Sequence, residues 1–142
     1  MTIRLLKKSN SDIKQIKEIR KVVFNDELNI PESCLVDEYD NTCDQFLIKN
    51  DQITVGALRL RKENNAIKLE RMAILPEFRN LSFGLKAIGE VKKLCVEKKE
   101  SRVFLDSIYI VSDFYKKCGF TKVGKVFERV GLPHIRMEIN LI

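Results

Sequence analysis

Residues 66 to 105, AIKLERMAILPEFRNLSFGLKAIGEVKKLCVEKKESRVFL, restrict the possible folds more than any other stretch. An apolar strand-like run ends at Pro76, a turn carries Arg79, an amphipathic helix follows, and RVFLD begins a second strand. Two strands joined through a helix pack as a parallel pair with a right-handed crossover. The sheet must therefore be at least partly parallel, with that helix against it. The helix is expected after residue 81 and to about Glu100, with Leu81, Leu85, Ile88, Val91 and Cys95 on one face and lysines opposite.

The flanking segments extend this unit. TIRLLKK, residues 2 to 8, reads as a strand, and SDIKQIKEIRKVVF sets Ile13, Ile16, Ile19 and Val23 at helical spacing behind a Ser11/Asp12 start. NDELNIPESCLVDEYDNTC has no sustained period and contains a proline, so a long functional loop or short irregular helix is expected. Residues 44 to 75 hold three apolar runs separated by the polar turns KNDQ and KENNA, with Leu58 and Leu60 alternating with Arg59 and Arg61. An antiparallel meander follows from that pattern. SDFYKKCGF predicts a compact helix with Ser112 as N-cap and Gly119 as left-handed C-cap. Two closing strands come last, the second alternating Ile135, Met137 and Ile139 with polar residues. The expected class is α/β (α+β), a mixed sheet of six or seven strands.

With 142 residues, 44% of them hydrophobic, the chain supports one core, and a single domain over residues 1–142 is expected. No apolar run is long enough to span a bilayer, and MTIRLLKKSN lacks the apolar centre of a secretory signal, so no membrane partner and a cytoplasmic location are expected. Cys34, Cys43, Cys95 and Cys118 are widely spaced and accompanied by a single histidine, a pattern of free thiols with neither a disulfide framework nor a metal.

The net charge of +6 is uneven: residues 25 to 51 carry eight acidic side chains against Lys49 alone, so they net −7 and the remainder +13. A basic body with an acidic arm suits a polyanionic cofactor and a cationic acceptor, although a solvated acidic loop would have the same composition. No helix clusters Arg and Lys beside base-reading residues and no aromatic platform is evident, which argues against nucleic acid. At the crossover, a helix N-terminus offers unpaired N–H groups and Arg79 a cationic fork, a natural place for a pyrophosphate.

ERMAILPEFRNLSFG, followed after a strand by FYKKCGF, resembles the GNAT superfamily of N-acetyltransferases, whose R/Q-x-x-G-x-G/A turn holds the cofactor pyrophosphate. RKVVFNDELNIPESCLVDEYD and VFERVGLPHIRM are similar to the V-F-x-x-E-x-x-x-P-x-E and G-x-P-H-x-x-M segments of a small bacterial branch. The resemblance spans nearly the whole chain. It implies a GNAT fold with a splayed central parallel pair and about four helices, and acetyl transfer from acetyl-CoA to a primary amine by direct attack in a ternary complex. By the same resemblance, Arg79, Asn80, Leu81, Ser82, Phe83 and Gly84 would hold the pyrophosphate, Met72 and Ile74 the pantetheine arm, and an N–H near Ile74 the thioester oxygen.

Tyr115 matches the tyrosine placed beside the cofactor sulfur; by residue type it equally reads as a core aromatic beside Phe114. Glu70 and His134 are candidate general bases. Glu27, Glu32, Asp37 and Glu38 of the acidic arm are candidates for holding a cationic acceptor, Glu27 and Glu32 also for proton removal through water. The acceptor itself is not encoded in any motif, and a homodimer is left open. Three positions depart from the family pattern. Asn80 and Ser82 replace turn glycines, and Ile108 replaces a polar Asn or Gln. Weakened cofactor binding, by roughly 1 to 2 kcal/mol, is expected. The alternative that these departures raise is a non-catalytic binding or regulatory module of GNAT fold with a degenerate CoA site.

Overall fold

The computed structural model describes residues 2–9 and 12–141; of the expected helix start, Ser11 lies outside them. The strands are β1 (Ile3–Lys7), β2 (Asp44–Asn50), β3 (Ile53–Glu63), β4 (Ala66–Ile74), β5 (Arg102–Ile108), β6 (Thr121–Arg129) and β7 (Leu132–Asn140). They form one sheet in the order β1-β2-β3-β4-β5-β7-β6. The β2-β3-β4 meander is antiparallel, and β4 and β5 are the parallel pair that the crossover requires. Among the described residues three α-helices stand for the roughly four expected: α1 (Ile13–Arg20), α2 (Phe83–Glu97) and α3 (Ser112–Lys117).

Both faces of the sheet are covered, and this determines where charge can go. α2 packs Phe83, Ala87, Ile88, Val91 and Cys95 against Phe46, Ile48, Leu58 and Leu105. α1 packs Ile16 and Ile19 on the opposite face, together with Val23 of the segment that follows it, against Leu47, Ala57 and Ala73. The polar-out alternation read in β3 therefore fails at Arg59, whose side chain is fully buried beneath the acidic arm. The α2 face also differs from the expected one: the helix begins only at Phe83, and Leu81 and Leu85 are half exposed. Leu81 remains in the turn, so the register of the buried face is set by Phe83 and Ala87.

α1 runs on into a π-helical segment, Lys21–Glu27, after which short 3-10 turns at Glu32–Cys34 and Glu38–Asn41 carry the acidic arm back to β2. π-Helical turns rotate side chains away from the regular stripe, and this one brings Phe24 and Glu27 to the central cleft. α3 is capped differently from the sequence expectation. Its N-cap is Val111, while Ser112 is the first helical residue, is buried and makes no cap bond. Gly119 ends that helix with φ +100°, a conformation open to glycine and strained for other residues.

Candidate active site

The cleft exists because β4 and β5 part company. Only Ile67 with Val103 and Lys68 with Phe104 are in parallel register, while β4 continues to Ile74 and β5 to Ile108. Backbone groups past Lys68 thus face an opening of about 860 Å³. β4 is further distorted by a bulge, since Ala57 opposes Ala73 but Arg59 opposes Glu70. Two β4 residues, Arg71 and Met72, therefore face the single residue Leu58, and Arg71 has φ +52°. A left-handed arginine inside a strand is a strained feature, of a kind that clusters at functional sites.

Leu75 N–H donates to Val55 O on β3, so the peptide groups of the preceding residue, Ile74, face the cleft. The Ile74 carbonyl accepts from Arg79 Nε at 3.0 Å. The remaining Arg79 nitrogens reach Glu27, Nη1 to Oε2 and Nη2 to Oε1, each at 2.7 Å. Arg79 thereby joins the end of β4 to the π-helical segment across the cleft mouth, and the Glu27 hydrogen bonds raise its pKa.

The turn into α2 keeps a glycine-like backbone without the glycines. Asn80 has φ +61° and Ser82 has φ +65°. Left-handed backbone costs an L-residue about 1–2 kcal/mol, less for asparagine; here the fold bears that cost, so the turn is preformed. Ser82 is the α2 N-cap residue, but its hydroxyl makes no cap bond. The first intrahelical bond runs from Lys86 N to Ser82 O, leaving the N–H groups of Phe83, Gly84 and Leu85 without helical partners. Gly84 serves packing: a Cβ there would lie 2.9 Å from Phe114 Cζ. α2 and α3 approach each other through that contact.

On the opposite wall, the Tyr115 ring packs edge-on against Phe114 at 5.0 Å and Phe120 at 6.0 Å between centroids. Burial, with Cys118 nearby, drives its phenol pKa well above the ordinary value of 10.0. His134, opposite Ile108 in the β5-β7 register, is buried and stacks on Phe127 at 5.8 Å. Its Nδ1 lies 2.8 Å from Leu132 O. A carbonyl only accepts, which assigns the ring proton to Nδ1 and leaves Nε2 as a basic lone pair on a cleft-lining residue.

Residues 23–141 match the family model described as Acetyltransferase (GNAT) domain. The chain belongs to the GNAT acetyltransferase family. It is 30% identical over 132 residues to Bacillus subtilis BSU40680, a protein provisionally named an acetyltransferase, covering 91% of this chain and 90% of that one. In fold it is similar to a Lactobacillus plantarum protein provisionally named an N-acetyltransferase, with TM-score 0.89, 16% identity and full coverage of both chains. It is also similar in fold to Vibrio cholerae spermidine N-acetyltransferase, solved with CoA and spermine, with TM-score 0.75, 17% identity and coverage of 98% and 95%. The chain is thus an acyltransferase by family.

Of the residues singled out in this GNAT chain, Glu27, Glu70, Met72, Ile74, Arg79, Asn80, Ser82, Phe83, Gly84, Tyr115 and His134 all line the cleft, as does Ile108. Glu70 is not free there. Its carboxylate accepts from Arg59 at 2.8 Å and Arg61 at 3.0 Å and lies 3.4 Å from Lys68. Burial pushes its pKa up, but Arg61, Arg59 and Lys68 together hold it below the ordinary value. A carboxylate so paired is a poor proton acceptor. Asp37 is also committed, bidentate to Arg59 at 2.6 and 3.0 Å. Glu38 is exposed, and Glu32 is 64% exposed and 3.8 Å from Lys21. Asp37 and Asp40 of the acidic arm are thus countercharge for the buried Arg59 and Arg20.

Lys68, Arg71, Asp106 and Arg129, which are not among the residues expected from the sequence, also line the cleft. Asp106 receives Arg129 and Arg136 at 2.9 Å and lies 3.3 Å from Lys68; these cations outweigh burial and keep it ionised far below the usual carboxylate range. The hint was present in KLERMAI: two adjacent charges inside an apolar strand cannot both face water where a sheet is covered on both sides.

Proposed function

We propose that this chain transfers the acetyl group of acetyl-CoA to a primary amine by direct attack within a ternary complex. The observation that carries the reading is the parting of β4 and β5 next to a preformed left-handed turn at the α2 N-terminus. The amides of residues 79 to 84 suit a pyrophosphate, with the helix dipole favouring its charge. Arg79 is the matching cation once it leaves Glu27. The exposed edge of Met72–Ile74 suits the amide groups of a pantetheine arm. A spermidine N-acetyltransferase of the same fold, solved with CoA and spermine, supports a cofactor of this type.

In the step proposed, the amine lone pair attacks the thioester carbon, and the carbonyl electrons move to oxygen, where the Ile74 N–H receives the developing charge. One such donor is worth about 3–4 kcal/mol. Collapse of the tetrahedral adduct breaks the C–S bond, and the electron pair leaves on sulfur. His134 Nε2 is the base that takes the amine proton; the ion pairs of Glu70 leave it the weaker candidate. Full proton transfer from Tyr115 to a thiolate is uphill, since the phenol lies above 10 and a thiol near 8.5. Tyr115 therefore stabilises the departing sulfur by donating a hydrogen bond, and the proton follows from solvent.

The test is CoA release with a panel of primary amines. Tyr115→Phe should lower kcat about 10- to 100-fold while leaving acetyl-CoA affinity within about twofold, and His134→Gln should lower kcat with a displaced pH profile. Unchanged kcat in both variants would contradict the assignment.

A further inference from the structure

The acceptor side of the cleft is more cationic than the acidic arm suggests. Arg20, Arg59, Arg61, Lys68, Arg71, Arg129 and Arg136 share a connected network with five carboxylates, Asp37, Asp40, Glu63, Glu70 and Asp106. Seven cations against five anions leave two positive charges uncompensated. The cations of this network that reach the cleft are Lys68, Arg71 and Arg129. Lys68 is buried between Glu70 and Asp106, 3.4 and 3.3 Å away, so Arg71 and Arg129 are the network cations left to meet a ligand in the cleft.

Arg71 is the less satisfied of these. Asp37 is already taken bidentate by Arg59, so Arg71 Nη2 reaches it only at 3.2 Å and the Cys34 carbonyl at 3.4 Å. Its Nε is buried and has no partner. An orphaned buried donor costs about 1–3 kcal/mol, and the bulge that brings Arg71 there has its own strain. Burial and the neighbouring Arg59 charge also weaken the protonated form. These costs fall on a side chain that borders open space, and an anion supplied by a ligand offsets the burial of its charge and the repulsion from Arg59.

Position separates this group from the cofactor phosphates. The pyrophosphate turn follows Ile74, whereas Arg71 precedes it by three residues, up to about 10 Å back along the strand. Leu35, Phe24 and Val23 furnish an apolar wall of the same cleft.

We infer that the acceptor is an amine carrying a carboxylate on an apolar body, as in an apolar amino acid, with the carboxylate seated on the Arg71 guanidinium and Arg129 beside it; this rests on the acetyltransferase reading above. Among the described residues Arg71 Nη1 makes no hydrogen bond, while Nη2 is taken by Asp37 and the Cys34 carbonyl, so Nη1 is the donor left for a carboxylate, and a site built to bond such a group discriminates strongly against analogues lacking it.

Calorimetric titration of leucine against isoamylamine, and of phenylalanine against phenethylamine, tests this with free and with CoA-saturated protein. The amino acids should bind at least about tenfold more tightly than the amines. Arg71→Gln should abolish that gap while leaving acetyl-CoA affinity and the melting temperature close to wild type, and Arg71→Lys should restore part of it. Equal or better binding of the amines, no binding of either amino acid, or a gap that survives Arg71→Gln would overturn the proposal. If Arg71→Gln fails to fold, Arg129→Gln is read instead and should narrow the gap severalfold; an unchanged gap there counts against the proposal. Failure of acetyl-CoA binding or turnover would count against the transferase reading, independently of this selectivity.

Discussion

Asp37 and Glu38 are neighbours with the same charge and opposite fates. Asp37 caps the short Glu38–Asn41 turn, its carboxylate accepting from Tyr39 N at 3.0 Å, and it also holds the fully buried Arg59. Glu38 points to solvent. Asp37→Asn should therefore destabilise the fold by about 2 kcal/mol, below the 3–5 kcal/mol of a fully buried pair because a third of Asp37 is exposed, whereas Glu38→Gln should change it by less than about 0.5 kcal/mol. Urea titration monitored by circular dichroism measures both, and equal effects would show that Asp37 is not the counterion described. Ser82 makes a related point about single residues. A side chain at a glycine position removes neither the left-handed turn nor its amides; its cost falls on folding, because φ is already +65° before any cofactor arrives.

The crossover element was legible because its cues agree: a proline, an apolar period of 3.6 residues and a second apolar run all indicate strand, turn, helix and strand. The meander and the closing β6-β7 pair were legible for the same reason. Two local features were not. The buried face of α2 was misread because Leu81 and Leu85 fall on the same apolar period as Ile88, and only the tertiary packing of Phe83 and Ala87 into the core resolves it. The β4 bulge has no short-range signature, since nothing in KLERMAI marks Arg71 as the residue that turns left-handed. Most of the residues singled out from the sequence line one cleft, yet the charge logic was not legible. A carboxylate in an arm reads as free until the arginine that takes it, 22 residues away in the case of Asp37 and Arg59, is brought beside it.

Across the whole molecule, a network of ion pairs joins the acidic arm, the central strands and the β6-β7 ribbon around the cleft. Asp37, Asp40, Glu70 and Asp106 all have folded-state pKa values below their ordinary 3.8 or 4.5. A lowered carboxylate contributes stability above its unfolded pKa and loses it as pH falls through the folded value. The melting temperature should thus hold steady from neutrality to about pH 5 and drop steeply below about pH 4, as differential scanning calorimetry would record; a flat profile to pH 3 would show the network to be energetically idle. The turn before α2 should remain a working cradle without its glycines. Isothermal titration with acetyl-CoA at moderate ionic strength, on the wild type and on Arg79→Ala, tests it most directly. Micromolar binding that weakens about tenfold or more in the variant is expected, whereas no binding at millimolar cofactor would mean that the turn no longer holds a pyrophosphate.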